Sequence, residues 1–298
     1  MDVKHLWWII LAGLILGLSG PAGAARVGED ETPARIRVRG SETMIEALYG
    51  WADGFRSEYP AINLFVEGGG AGNGIAGLIN GHVDVAAATR PIKDWEKRLA
   101  IKRGFAEPVE RVVGWDAVTL VVHRDNPLKG VRVEQLGDLF GLHPQVRRWT
   151  DLGVTVPGCH DQRLNPVSLK NKSGTYAFMR DQLMRDTRRM GRDMGTFTSS
   201  RDLIQHVATN PCAIGFTAMA FVDVKVKPLC VSQGVSAPCV VPNRETIGAR
   251  TYPLTRPLFL YTLGAPKGDS ATFVEWVVGT TGQKLLQLAG FQPIQESK

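Results

Sequence analysis

The amino-acid sequence predicts an α/β protein with two lobes, each a mostly parallel sheet with flanking helices. Strand-like and helix-like segments alternate over residues 35–103 with short links, which is the order that gives parallel strands joined by helices. The apolar stretch 112–122 is unusually long for one strand, as expected of a strand that leaves one lobe and enters the other. A late strand at residues 257–261 is expected to cross back.

The composition is that of an ordinary globular protein, and its charge gives one weak functional indication. The 298 residues suffice for one large or two ordinary domains, and 44% are hydrophobic and 21% charged. The net charge of +6 weakly favours anionic partners. No nucleic-acid partner is expected, because basic residues are not interleaved with aromatic ones in what we interpret as an exported protein.

The N-terminal segment has the pattern of a secretory signal peptide. Lys4 and His5 precede an apolar run at residues 6–18, and small residues ending in Ala-Gly-Ala follow. We therefore predict a signal peptide at residues 1–24, cleaved after Ala24, and a periplasmic protein; an uncleaved N-terminal anchor is the alternative. The polar residues 25–34 are expected to form a flexible start of the mature chain.

Four cysteines occur, and in an exported protein an even number favours disulfides. Cys230 and Cys239 flank a stretch that indicates a hairpin loop, so we pair them. Cys159 with Cys212 follows by elimination. Metal binding is the alternative, and it is weakly supported because no Cys-x-x-Cys motif is present.

The first half of the chain opens with a strand in which Ile36 and Val38 alternate with arginines. Apolar residues at 44–55 then recur at helical spacing, and Thr43 with Glu46 fits a capping box at the helix start. The other elements predicted here are strands at 62–66 and 83–88 and helices at 75–79 and 93–103.

The second half of the chain continues the alternation. The closing helix, at residues 273–288, is expected to break at Gly279 or Gly282. The other elements predicted here are helices at 134–140, 176–184 and 203–207, a loop at 149–153, and strands at 166–169, 212–216 and 224–231.

Three loops share one design, because each follows a predicted strand, opens a helix and is rich in glycine or small hydroxyl residues. Glycine lets the backbone approach a ligand closely, and the first N–H groups of a helix lie at the positive end of its dipole. In an open α/β sheet such loops gather at the carboxyl ends of the strands. We therefore predict a site for a dehydrated oxyanion. The loops are 40–43, 70–74 and 173–175.

Six segments, in this order, resemble the periplasmic phosphate-binding proteins of phosphate ABC transporters. The resemblance implies the periplasmic-binding-protein fold, with two crossover strands and hinge closure. It divides the chain into lobe 1 at 35–118 plus 255–298 and lobe 2 at 119–254. It implies a monomer without a cofactor that delivers inorganic phosphate to an ABC permease in the inner membrane. The segments are 40–44, 68–75, 83–91, 173–175, 213–216 and 252–258.

The resemblance also implies a ligand set and shows three departures from the family pattern. Ala71 stands where a serine is usual, and Thr89 stands where some members have an aspartate that accepts the proton of phosphate. Leu169 replaces the usual arginine four positions before Ser173, so Lys170, Lys172 or Arg90 is expected to supply the cation. The implied ligand-binding residues are Ser41, Glu42, Thr43, Gly70, Ala71, Gly72, Thr89, Arg90, Lys172, Ser173, Gly174 and Thr175.

Glu42 is the one acidic residue in this set, and two interpretations of it remain open. It accepts the proton of phosphate and so selects phosphate over sulfate, or it is a first-turn carboxylate favoured by the helix dipole.

Two other functions compete with phosphate capture. In the first alternative, the same fold binds another oxyanion or senses a ligand for a partner protein. The departures from the family pattern at Ala71 and Leu169 are the reason to consider it. A secreted phosphatase is less expected, because the sequence has neither Gly-x-Ser-x-Gly nor His-Glu-x-x-His. We therefore predict a binding protein and not an enzyme.

Overall fold

A computed structural model describes residues 35–184 and 189–294. The predicted signal peptide, with its cleavage after Ala24, and the predicted flexible segment 25–34 lie outside these ranges. Within them, no helix combines the length and the apolar character that crossing a membrane requires.

The described residues form eleven strands and nine helices, with short 3-10 turns between some of them. The first half contains β1 (Arg35–Gly40), α1 (Ile45–Glu58), β2 (Asn63–Glu67), α2 (Ala71–Ile79), β3 (Val85–Ala88), α3 (Asp94–Lys102), β4 (Pro108–His123), β5 (Gly130–Arg132) and α4 (Leu136–Phe140). The second half contains β6 (Asn165–Leu169), α5 (Gly174–Met184), β7 (Gly195–Phe197), α6 (Ser200–Thr209), β8 (Ala213–Ala218), β9 (Val226–Pro228), β10 (Cys230–Ser232), α7 (Arg244–Gly248), β11 (Thr255–Leu263), α8 (Gly268–Val278) and α9 (Thr280–Leu288).

The main sheet has the strand order β2-β1-β3-β11-β4-β8-β6-β7, and β9 also pairs with β4. The strands β2, β1 and β3 are parallel to one another, as are β7, β6 and β8. The strands β11 and β4 run antiparallel to their neighbours in the middle. Two parallel groups are thus joined through two long strands, which confirms the predicted fold class.

Strand β4 makes the crossing that its length predicts. Its first part, as far as Ala117, pairs with β11, and its second part, from Val118, pairs with β8. Strand β11 returns beside it, with Arg256 in register with Asp116. The polypeptide therefore crosses twice between the two parallel groups of strands, once in β4 and once in β11.

The hydrophobic core is divided at the same place. Buried side chains of residues 36–113 and 258–291 pack in two clusters on one part of the sheet, and those of 117–254 pack in two others. Trp51 and Phe273 belong to the first part, and Trp149 and Phe216 belong to the second. The lobe boundaries at 118/119 and 254/255 stay a prediction, which this division favours.

Three local predictions are wrong, each because tertiary contacts override the local pattern. Thr43 and Glu46 form no capping box, since a 3-10 turn precedes α1 and both side chains face residues distant in sequence. The segment 224–231 is two short strands, β9 and β10, which pair with different partners. The predicted loop at 149–153 contains a 3-10 turn, and Trp149 there is fully buried. The break in the closing helix falls at Gly279, one of the two glycines predicted for it.

Both predicted disulfides are confirmed. Cys159 bonds Cys212 across a separation of 53 residues, and Cys230 bonds Cys239 across 9. The second bond ties β10 to the strand-like residues that follow, where Val231 and Val240 exchange two backbone hydrogen bonds of 2.9 Å. Since all four sulfurs are in disulfides, none is a thiolate ligand for a metal.

We expect the two disulfides to contribute unequally to stability. Loop-closure entropy predicts that removing Cys159–Cys212 by alanine substitution of both cysteines lowers the unfolding free energy by about 4 kcal/mol, against about 2.5 kcal/mol for Cys230–Cys239. Chemical denaturation of the two double variants tests this. An equal or larger loss from the shorter loop would contradict it.

Candidate functional site

The three predicted loops meet on one side of the sheet. The loop at 40–43 follows β1, and the glycine-rich loop follows β2 and leads into α2 at Ala71. Thr89 follows β3, and Ser173–Thr175 follows β6 and begins α5. Because each loop lies at the carboxyl end of its strand, loops from both lobes come together. We call the residues 41–43, 70–72, 89 and 173–175 the cradle.

Four hydroxyl groups form the centre of the cradle. Thr43 Oγ1 lies 3.2 Å from Thr175 Oγ1, and Ser41 Oγ lies 3.5 Å from Thr89 Oγ1. All four residues are at most 3% exposed. The Thr43–Thr175 pair joins residues 132 apart in sequence, one from each lobe. The structure thus brings together four of the hydroxyl residues named as ligand-binding in the sequence analysis, and their contact with a ligand stays a prediction.

Glycines allow the loops to come this close. A Cβ on Gly174 would lie 2.1 Å from Thr89 Oγ1, and a Cβ on Gly70, whose φ is +97°, would lie 2.7 Å from the carbonyl oxygen of Lys172. Real Cβ atoms do not make such contacts, so both positions require glycine while the loops touch. The cradle as described is a closed arrangement.

Ser173 stabilises its own loop through two hydrogen bonds. Its hydroxyl accepts a hydrogen bond of 3.1 Å from the backbone N–H of Thr175, and its carbonyl accepts one of 3.0 Å from Ala177. This arrangement fixes the first turn of α5. The Thr175 hydroxyl is therefore held where it faces Thr43.

Glu42 points away from the centre of the cradle. Its side chain is exposed, and its carboxylate accepts a hydrogen bond from the backbone N–H of Gly69. The contact joins the first loop to the glycine-rich loop at its outer edge. The structure therefore favours the interpretation of Glu42 as a first-turn structural carboxylate.

The three cations that the sequence proposed have different surroundings, and the stem of the Lys172 side chain lies beside Gly70 in the cradle. The Arg90 guanidinium is buried in a two-point ion pair with Glu96, at 2.7 and 2.8 Å, and also donates to the carbonyl of Pro91. Lys172 is exposed and contributes its backbone to the cradle. Lys170 is exposed and lines a different cavity, beside Ser168. Arg90 in particular is committed to Glu96, so it does not supply a free cation.

A cation that the site prediction missed comes from β11. Arg256 is 1% exposed, and its Nε and Nη2 atoms bond Asp116 Oδ2 at 3.0 and 2.7 Å. Nη2 also donates to Thr175 Oγ1 at 2.9 Å. Burial lowers the pKa of Arg256 and Asp116 opposes that shift, but an arginine remains charged at neutral pH because its ordinary pKa is so high. The Tyr-Pro-Leu-Thr-Arg-Pro segment was the signal, since it places a charge within an apolar strand.

Fold and candidate site together define a class of protein: a two-lobed α/β binding protein whose candidate ligand site lies between loops of both lobes. The family model described as the PBP superfamily domain matches residues 27–281, so the chain belongs to the PBP superfamily, the periplasmic-binding-protein fold family.

Two relatives align with most of the chain, and the name of one of them specifies a ligand. The phosphate-binding protein PstS of Pseudomonas aeruginosa is 27% identical over 270 residues, covering 86% of this chain and 81% of that protein. Protein SphX of Synechococcus elongatus is 29% identical over 274 residues, covering 88% and 78%. These relatives confirm the resemblance that the sequence motifs indicated.

Solved structures agree with the fold. An ABC-type phosphate transport receptor from Vibrio cholerae matches with a TM-score of 0.69 and 22% identity, covering 86% of this chain and 99% of that one. A structure described as a possible phosphate binding protein from Planctomyces limnophilus matches with a TM-score of 0.63 and 26% identity, covering 89% and 94%.

We expect Gly174→Ala to separate the lobes. The new methyl group would overlap Thr89 Oγ1, whose residue is fully buried, so the loops must move apart. Small-angle X-ray scattering should then give a larger radius of gyration than for the wild type. Gly72→Ala is the matched control, since its Cβ would meet only the Lys172 carbonyl oxygen at 3.9 Å. Identical scattering from both variants would contradict the close contact.

Proposed function

We propose that this protein captures inorganic phosphate outside the cytoplasm and delivers it to an ABC permease in the inner membrane. The observation that carries the proposal is the convergence of four buried hydroxyl groups, from both lobes, at loops that follow strands. Relatives over most of the chain bear the name phosphate-binding protein, which supports this ligand over other oxyanions.

The chemistry of the cradle suits a dehydrated tetrahedral anion. Hydroxyl and backbone N–H groups donate hydrogen bonds to each oxygen, and such bonds to a charged acceptor are stronger than those between neutral groups. Helix starts at the ends of strands add favourable dipoles. An entering anion replaces the Thr43–Thr175 hydrogen bond, so each of these hydroxyls exchanges its neighbour for a ligand oxygen.

Capture requires the two lobes to open and close around the ligand. In our proposal, lobe 1 at 35–118 plus 255–298 and lobe 2 at 119–254 rotate about the place where β4 and β11 cross. One exposed ion pair, Arg201–Glu46 at 2.9 Å, also joins the lobes beside the cradle. Exposed pairs contribute little, so the bound anion supplies most of the preference for closure.

The remaining parts of the proposal concern location and assembly. We infer export through the signal peptide at residues 1–24, a monomeric mature protein, and no catalytic turnover. The family to which the chain belongs is one of substrate-binding proteins, which supports a role in binding. The hydroxyl and backbone N–H groups of the cradle can donate hydrogen bonds, as binding of an anion requires.

Phosphate binding should depend on the hydroxyl of Thr175. For the mature protein freed of phosphate, we expect calorimetry to give one site per chain, and Thr175→Val to weaken it by roughly tenfold to a hundredfold, the range expected for losing one hydrogen bond to a charged group. Thr217→Val is the matched control, because Thr217 is also fully buried but its hydroxyl has no partner within the described residues.

Two results would contradict this proposal. Wild-type protein that shows neither heat of binding nor a thermal shift in millimolar phosphate would exclude phosphate as the ligand. Equal weakening by both valine variants would show that the hydroxyl of Thr175 does not contact the ligand.

The selectivity for phosphate over sulfate should not depend on Glu42. Glutamine retains an oxygen that accepts the Gly69 N–H, so we expect Glu42→Gln to change the ratio of the two affinities by less than about threefold. Competition calorimetry measures this ratio, with Glu46→Gln as a control for a charge lost at the same helix start. A drop of about tenfold or more in the Glu42 variant alone would instead assign the proton acceptor to Glu42.

A further inference from the structure

The guanidinium of Arg256 has one nitrogen without a partner. Its Nε and Nη2 atoms donate to Asp116 and Thr175, but Nη1 is buried and finds no acceptor among the described residues. A buried donor on a charged group is costly to leave unpaired, so such an atom indicates an acceptor that the protein itself does not provide.

The shape of the guanidinium fixes where this acceptor lies. The group is planar, and the edge formed by Nε and Nη2 is occupied by a single oxygen of Asp116. The other N–H of Nη2 is on the edge that Nη2 shares with Nη1, and it donates to Thr175 Oγ1. The free N–H of Nη1 on this edge therefore points towards the same side as the Thr175 hydroxyl, which is the cradle.

The polarity of the hydrogen bonds supports the same direction. Arginine only donates, so Thr175 Oγ1 accepts from Arg256 and its own proton remains available. Thr43 Oγ1 lies 3.2 Å away and can accept that proton in the closed arrangement. When an anion replaces Thr43 as acceptor, Thr175 presents to it a hydroxyl polarised by a positive charge.

We propose that Arg256 is the cationic ligand of the oxyanion in the cradle, through Nη1 directly and through Thr175. This inference rests on the proposed function. It assigns to β11 the positive charge that the resemblance places four positions before Ser173, where this chain has Leu169. Leu169 is 3% exposed and packs in an apolar cluster with Val167 and Leu203, so no cation comes from that position.

Asp116 acts in this arrangement as a positioning residue. It lies on β4, in register with Arg256 on β11, and both side chains are 1% exposed. Burial raises the pKa of the Asp116 carboxyl, and the neighbouring guanidinium opposes that shift. The pair holds the guanidinium plane in one orientation and keeps Nη1 directed at the cradle.

The Arg256–Asp116 pair lies on the two strands that connect the lobes, and this location affects how the lobes close on a ligand. The strands β4 and β11 are the two that cross between the lobes, so the cation belongs to the hinge region and the hydroxyls belong to the moving loops. An anion held by Arg256 is therefore fixed to the hinge before both lobes reach it. Closure then adds the loop hydroxyls of each lobe to an anion already in place.

The test is the phosphate affinity of Arg256→Lys, measured by calorimetry on the full mature chain. Lysine keeps the charge but cannot bond Asp116 at two points and also reach Thr175 and the anion. We expect the dissociation constant for inorganic phosphate to rise by about tenfold to a hundredfold. Arg37→Lys is the matched control, because Arg37 bonds Asp84 in the same two-nitrogen manner, at 3.1 and 2.9 Å, outside the cradle. Its dissociation constant should change by less than about threefold.

A second measurement keeps the proposal testable if Arg256→Lys does not fold. In the wild type, the side-chain nitrogen signals of Arg256 are identified by nuclear magnetic resonance through its contact with the Phe178 ring, 5.8 Å from Cζ to the ring centroid. Titration with inorganic phosphate should shift these signals in step with binding. Sulfate at concentrations that do not bind should leave them unchanged.

The outcomes separate the two proposals. Wild-type protein that does not bind phosphate overturns the proposed function, and with it the assignment of this ligand to Arg256. Wild-type protein that binds phosphate, with Arg256→Lys binding equally well or with Arg256 signals that do not move, leaves the proposed function standing and overturns the role of Arg256.

Discussion

The buried ion pair between Arg256 and Asp116 is the interaction on which the arrangement of this protein depends. It lies where β4 and β11 pass each other, between the two divided parts of the hydrophobic core. A charge buried there is tolerated only because its partner stands in register on the adjacent strand, and breaking such a pair is more destabilising than its net contribution suggests. The same guanidinium reaches Thr175, so fold and candidate site share one residue.

The cradle, which we propose as the anion site, is built without a large excess of positive charge. Its centre consists of neutral hydroxyls at most 3% exposed, carried by loops that follow strands. Two of the charged residues implied by the resemblance are engaged in structural contacts, Glu42 with Gly69 and Arg90 with Glu96. Close backbone approach at Gly70 and Gly174 makes the contact between lobes possible.

Much of the fold was predictable because its signals are local. Alternating strand and helix patterns gave the parallel sheets, and the length of β4 indicated the crossing. The failures occurred where partners are distant in sequence. Thr43 has the residue type of a helix cap, yet its hydroxyl faces Thr175, 132 residues away. The segment 224–231 has the composition of one strand, but its two ends pair with β4 and β5.

The sequence by itself determined the fold class and both disulfides, and it named the hydroxyl and glycine residues that meet in the cradle, whose contact with a ligand stays a prediction. These features depend on periodicity, on turn chemistry and on residue types that are rarely interchangeable. Only the tertiary structure decided which charges face the cradle. The guanidinium of an arginine is several rotatable bonds away from the backbone. The direction in which it points therefore depends on which carboxylate the fold brings within hydrogen-bonding distance. Glu96 forms an ion pair with Arg90, whereas Asp116 forms one with Arg256 that holds it beside Thr175.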